Sequence, residues 1–319
     1  MAEKCKIGIG APTYNSVKRL EMLLSSLELY GVDSYDARVV ILDDGSPDPE
    51  MRKGVEELAL RFGADFIQHE TNKGIPAAWN SLTDHCDCQY MILLNDDIAV
   101  SQNWLRNFVY FMDNNPQIGN VGFSIVHVDP VTMLPDKRFT PPDENSPPGR
   151  CGSPNGCSFG FRKELWKKII NHDNSRGFWE NLISFYEELS FSFEIAKMGF
   201  HSFQLPTPLL EHLGSRTFGE NKELSTRQIG SYITKEEYLR RMKENKNLWI
   251  PFEQHEELAL KQNLALRMDY SRMMFSKHWG ADDYLSSPQV FVHSKYVDIL
   301  PKIEVKWLDK DGNERKQLI

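Results

Sequence analysis

The chain has 319 residues, a formal net charge of −8, and 40% hydrophobic and 26% charged residues. That length can bury a core of its own without metal or disulfide staples, and the acidic balance excludes a basic protein that coats a nucleic-acid backbone. No run reaches the ~18–20 apolar residues of a membrane helix, and the opening MAEKCKIGIGAP lacks the apolar core of a signal peptide, so a cytoplasmic protein is expected.

The acidic excess lies in residues 1–215, and the remainder is slightly basic. An acidic body suits a metal or a substrate escorted by a cation. The five cysteines, Cys5, Cys86, Cys88, Cys151 and Cys157, are odd in number and scattered. They do not form a disulfide framework. Cys86-Asp-Cys88 has the wrong spacing for a zinc knuckle and is read as structural.

Strand and helix alternate from the start. Residues 6–11 predict a short apolar strand, and Leu20, Leu23, Leu24 and Leu27 mark a helix that Asn15 or Ser16 can cap. Residues 37–42 (ARVVIL) predict a strand covered on both faces. A helix with Val55, Leu58, Ala59 and Phe62 follows, then a third strand at 64–69 and a helix with Ile75, Ala78, Trp79 and Leu82. Trp79 is read as core. YMILL at 90–94 is the fourth strand, and Leu105, Phe108, Val109 and Met112 mark the next helix. This order predicts an α/β fold with right-handed crossovers, a mainly parallel sheet and helices on both faces.

Residues 128–154 break the pattern with seven prolines and few apolar anchors, as expected of a functional loop or lid. A small-residue segment at 152–160, a helix at 162–170, and an aromatic-acidic stretch at 178–191 running into another helix come next. After about residue 214 the character changes. Polar helices are expected at 235–247 and 253–275, and a strand at 302–306 with a turn at Asp311-Gly312 closes the chain.

Ligands of parallel α/β sheets sit at the carboxyl ends of the strands. Here those ends read Pro12-Thr13-Tyr14-Asn15, Asp43-Asp44-Gly45-Ser46, Asn72-Lys73-Gly74 and Asn95-Asp96-Asp97. Any one could be an ordinary turn; four in register point to a site. Adjacent carboxylates after a buried strand are costly, and a divalent cation that also holds a diphosphate removes the cost. Asp97 is the first candidate ligand. Gly8-Ile9-Gly10 lacks the third glycine of a dinucleotide fingerprint, and no GxxxxGK[ST] occurs.

These motifs resemble the inverting glycosyltransferases of family 2, which have the GT-A fold. The resemblance is carried by APTYN at 11–15, VVILDDGSPD at 39–48, NKG at 72–74 with AAWN at 77–80, LLNDD at 93–97, NGCSFGFRKELW at 155–166, FYEELSF at 185–191 and HLGS at 212–215. It covers residues 5–218. It implies a GT-A-like domain at 1–218, with a nucleotide-sugar half at 1–125 and an acceptor half at 126–218. The helical C-terminal extension expected at 219–319, with its terminal strand, is not explained by the shared core; closure over the acceptor and a homodimer contact are both open to it.

By position, the resemblance assigns Pro12, Thr13, Tyr14, Asn15, Asp43 and Asp44 to the base and ribose, with Asn72, Lys73, Gly74, Asn95 and Asp96 completing the nucleotide-sugar site. It assigns Asp97 and His212 to manganese or magnesium, and Cys157 to the acceptor side. Trp179, beside Glu180, is read either as lining the acceptor cleft, where an aromatic face can stack on a sugar, or as core packing. Arg216 is a further candidate phosphate contact. Glu188 stands where the family's catalytic Asp stands, with Glu187 before it, and Ser190 replaces a second acid; either glutamate can be the base. A base would deprotonate an acceptor hydroxyl as it attacks the anomeric carbon, and the metal would neutralise the departing nucleoside diphosphate. The acceptor is open among a saccharide, a lipid-linked glycan, a protein or a modified nucleic acid. The alternatives are a nucleotidyltransferase that makes sugar nucleotides and an inactive nucleotide-sugar-binding module.

Overall fold

The computed structural model describes residues 5–127, 143, 145–171, 173–182, 186–212, 271, 274–276, 278–280 and 288–319, with backbone alone at 33, 127, 207–212 and 288–291. Most of the expected polar helices at 235–247 and 253–275, Arg216, and 128–142 of the proline-rich stretch lie outside the described residues.

The strands are β1 (Cys5–Thr13), β2 (Ala37–Asp43), β3 (Asp65–Gln68), β4 (Cys88–Leu94), β5 (Ile98–Ala99), β6 (Ile118–His127), β7 (Gly149–Cys151), β8 (Ser158–Arg162), β9 (His201–His212), β10 (Glu304–Leu308) and β11 (Glu314–Leu318). The helices are α1 (Val17–Leu29), α2 (Pro49–Arg61), α3 (Ile75–His85), α4 (Trp104–Asn114), α5 (Lys163–Trp166), α6 (Glu187–Lys197) and α7 (Pro288–Tyr296). One sheet runs β3-β2-β1-β4-β8-β6-β9-β5, with β7 also paired to β9. Strands β3, β2, β1, β4, β6 and β9 run one way, and β8, β5 and β7 run against them. The mainly parallel α/β expectation holds.

The pleat explains the two covered faces. On β4, Tyr90, Ile92 and Leu94 join the core under α1, α2 and α4. Met91 and Leu93 turn the other way, to α3, α5 and α6. Alternation with both faces apolar is what makes YMILL a continuous hydrophobic run. Helix α2 starts cleanly because Asp48 accepts the Glu50 N–H at 2.9 Å and Pro49 needs no donor partner.

Strands β6, β8 and β9 were not expected. In β8 the two phenylalanines, Phe159 and Phe161, enter the α3/α5/α6 core, while Gly160 between them makes room for the Phe108 ring on the opposite face. A small residue facing a neighbour's aromatic ring leaves no apolar alternation to read.

The chain's end returns to the same body. Val305 and Trp307 of β10 belong to the core that holds Phe108, Phe111 and Met112 of α4. The Asn115 amide spans the junction, donating to the Lys306 carbonyl at 2.8 Å and accepting the Lys306 N–H at 2.9 Å. The expected turn at Asp311-Gly312 is present between β10 and β11, with Gly312 at φ 84°. Among the described residues no helix is long and apolar enough to cross a membrane.

Candidate active site

The carboxyl ends of β1, β2 and β4 are neighbours by sheet register: Thr13 pairs with Asp43, and Gly10 with Leu93. The sequence clusters therefore meet. Asp43, Asp44, Asp96 and Asp97 are all at most 9% exposed, so each needs donors or a cation to remain charged.

The donors come from β3 and from the loops that follow β2 and β3. Asp43 accepts the backbone N–H and hydroxyl of Ser46 and the Gln68 amide at 3.2 Å. Asp44 accepts the N–H groups of Lys73 and Gly74 at 3.0 Å each, and meets His69 Nδ1 at 2.6 Å. The other ring nitrogen of His69 lies 2.9 Å from the Ser81 hydroxyl on α3, so a line of hydrogen bonds fixes the imidazole and with it Asp44. Burial pushes the Asp44 carboxyl up, and His69 with the two N–H groups opposes that. Gly45 is essential to this turn: its φ is +72°, and a Cβ there would lie 2.3 Å from the Thr71 carbonyl carbon.

Thr13 donates its hydroxyl to Asp96 Oδ2 at 2.6 Å, and Arg19 lies 3.4 Å from Asp96 Oδ1. Burial raises Asp96 to about 6, Arg19 pulls it down and the adjacent Asp97 adds to the rise. Pro12 is in register with Leu42, and Tyr14 and Asn72 are buried. Asn15, at φ 56°, anchors its N–H on the Ser46 hydroxyl at 2.8 Å, while its own Oδ1 is buried with no protein partner among the described residues.

The glutamates come from the other half of the sheet. Asn95 donates its N–H to the Cys157 carbonyl at 2.9 Å, which places the turn 155–157 beside the β4 terminus. A Cβ on Gly156 would stand 2.9 Å from Glu188 Cδ and 3.2 Å from its Oε2, so only glycine lets the Glu188 carboxyl lie there. Burial raises the Cys157 thiol, and the negative fields of Asp97 and then Glu188 raise it further, so both carboxylates act on one thiol. Burial raises the Glu188 carboxyl too, against the backbone N–H groups of Glu188 and Leu189. Glu187 is buried at the start of α6.

Trp179 is buried, its ring 4.7 Å from that of His278. Glu180 accepts from Asn80 at 2.9 Å. Asn80 also accepts from the Trp166 indole and the Phe178 N–H and donates to the Phe178 carbonyl, so it pins the 171–182 segment to α3. His212 ends β9 opposite Ile98, one residue after Asp97; its side chain lies outside the described residues.

Sequence reasoning missed Arg19, His69, Ser81 and Gly156. His69 had a signal, since it ends the third expected strand beside Asp43 and donates its N–H to the Asp43 carbonyl at 2.9 Å. Arg19 sits off the leucine stripe of α1, and only the fold turns it toward Asp96.

The glycosyl transferase family 2 model matches residues 9–183, more than half of the chain. The chain belongs to glycosyl transferase family 2. The poly(ribitol-phosphate) beta-N-acetylglucosaminyltransferase TarS of Staphylococcus aureus is 27% identical over 111 residues, which are 34% of this chain and 19% of TarS. The chain thus matches only about a fifth of the length of that curated relative.

Solved structures share the fold at low identity. TarS residues 1–349 with UDP-GlcNAc give a TM-score of 0.52 at 18% identity over 93% of this chain and 82% of that one. GalNAc-T7 with UDP, GalNAc and Mn2+ gives 0.56 at 15% over 99% and 65%. The mannosyltransferase PcManGT of Pyrobaculum calidifontis with GDP-Man and Mn2+ gives 0.52 at 13% over 92% and 88%.

Proposed function

We propose that this protein moves a sugar from a nucleoside-diphosphate sugar to an acceptor hydroxyl in one inverting step, with Glu188 as the base. The observation that carries the reading is the approach of α6 to the β4 terminus: Gly156 leaves space for the Glu188 carboxyl beside Cys157, whose thiol also feels Asp97.

The nucleotide lies across the ends of β1 and β2, where the Asn15 side-chain oxygen is available to a donor on the base or ribose. Thr13 and Arg19 hold Asp96 in place beneath the sugar. Glu188 takes the acceptor hydroxyl proton as that oxygen bonds to the anomeric carbon and the bond to the diphosphate oxygen breaks. A carboxyl held above its ordinary pKa is a better proton acceptor than an exposed one. Glu187, buried in the first turn, supports the helix start.

A divalent cation at Asp97 is part of this reading; among the described residues no group of three or more His, Cys, Asp or Glu side chains is gathered to hold one. Asp97 supplies a hard oxygen ligand at a buried strand end, and the β5–β9 pairing brings His212 within one residue of it along the ladder. Asp97 and His212 would hold manganese or magnesium, and the bound ion would neutralise the leaving diphosphate. Manganese in GalNAc-T7 and PcManGT supports this.

The test is release of nucleoside diphosphate from UDP-GlcNAc, UDP-GalNAc and GDP-mannose, with and without manganese. Turnover should need the metal, and Asp97→Asn should lower it by about 100- to 1,000-fold with the fold intact. Undiminished activity of Asp97→Asn in chelator refutes the metal assignment. Pyrophosphate release from a nucleoside triphosphate and a sugar phosphate would instead indicate a nucleotidyltransferase.

A further inference from the structure

Helix α6 is gripped from two sides. Phe191 and Ile195 face the sheet and join the core with Phe161 and Trp166. Phe193 and Ala196 face away and join a separate cluster made by Phe275, Trp279, Val292 and Val297, from the last fifth of the chain. Polar contacts sit among these apolar ones. The Trp279 indole N–H donates to the Ser190 hydroxyl at 3.3 Å. One turn on, His278 Nε2 lies 3.5 Å from Glu194. The Tyr186 ring, on the residue that starts the helix at φ 69°, lies 5.1 Å from Phe275.

The Tyr186 and Ser190 contacts fall on the first turn of α6, and that turn carries Glu188. Ser190 is two residues on, and its N–H closes the turn on the Tyr186 carbonyl at 2.8 Å. Residues two apart on a helix point in different directions, so the grip on Ser190 leaves the Glu188 carboxyl facing Gly156. A rotation of α6 by a fraction of a residue would carry that carboxyl about an ångström, enough to cost about 100-fold in rate. Ser190 occupies the position where the resemblance implied an acid. A hydroxyl there accepts the indole N–H without placing another carboxylate beside Glu188.

We infer that Trp279, through its hydrogen bond to Ser190, is a positioning residue for Glu188, so that the C-terminal part of the chain sets the aim of the base. This rests on Glu188 being that base.

The experiment compares the full chain with Trp279→Phe, Ser190→Ala, the double variant and Glu188→Gln, using UDP-GlcNAc, UDP-GalNAc and GDP-mannose with manganese. Trp279→Phe keeps a ring for Phe193 and Tyr296, which lie 5.7 and 5.5 Å from the indole, and removes only the donor and part of the ring. Both single variants should lose about 10-fold in kcat with the donor KM unchanged. The double variant should lose no more than either, because one bond is removed in all three. Amide exchange at 187–190 should quicken while that of β1 and β4 does not.

Wild-type turnover by Glu188→Gln overturns the base and the positioning role together. An inactive Glu188→Gln beside a Trp279→Phe with wild-type kcat overturns the positioning role alone. So do losses that add in the double variant, or a raised KM with kcat intact.

Discussion

The two halves of the site are held in opposite ways. At the ends of β1, β2 and β4 the partners come from neighbouring strand ends and the loops that follow them: Asp43 with Ser46, Asp44 with His69, Lys73 and Gly74, Thr13 with Asp96. All lie within the first hundred residues. The Glu188 side is held over long range, by Asn80 reaching to Phe178 and Glu180, by Gly156 under the carboxyl, and by Phe275 to Val297 against α6. The strand-end carboxylates therefore depend on the first hundred residues, and the Glu188 side depends on the chain's far end.

That contrast can be broken by kinetics first. Glu188→Gln should lower turnover by about 100- to 10,000-fold and leave donor binding by calorimetry unchanged. A matching loss of donor affinity would show that the halves are not separable.

Stability sharpens it next. Asn80→Leu leaves the Trp166 indole and the Phe178 N–H without acceptors in a buried site. It should cost about 2–4 kcal/mol in urea unfolding. A loss under 1 kcal/mol would mean that the 171–182 segment holds its place without α3.

The smallest effect concerns His201, which starts β9 at the junction with the C-terminal part. Burial first, and then Arg150, holds its pKa at about 4 against an ordinary 6.5. Arg150 itself donates to the Val297 and Leu300 carbonyls. Unfolded chains take up a proton below pH 6.5 and folded ones do not until about pH 4, so stability is lost as pH falls through that window, by at most about 3 kcal/mol. His201→Leu should gain on the wild type by up to that amount between pH 7 and pH 4 in thermal or urea unfolding. A difference that does not change with pH would show a solvated ring.

The nucleotide edge was legible because its signals are local. Strand ends are marked by the polar residues that follow an apolar run, and the run itself fixes the strand. His69 and Arg19 were not legible as site residues, since a lone histidine or arginine near a strand or helix start carries no signature until neighbouring strands are placed. The acceptor edge was legible only through resemblance. The resemblance left open which of Glu187 and Glu188 is the base, and the proposal of Glu188 rests on its carboxyl lying against Gly156.

By itself the sequence determined the alternation of β1 to α4, the two-faced burial of the sheet and the acidic strand ends, because periodicity and turn chemistry act over a few residues. Only the tertiary structure decided that β8 runs antiparallel between β4 and β6, that β6 pairs in parallel with β9, that β10 returns to α4, and that Trp279 meets Ser190. Those pairings join segments tens to hundreds of residues apart. Their stability comes from shape and hydrogen-bond complementarity that exists only once both partners are folded.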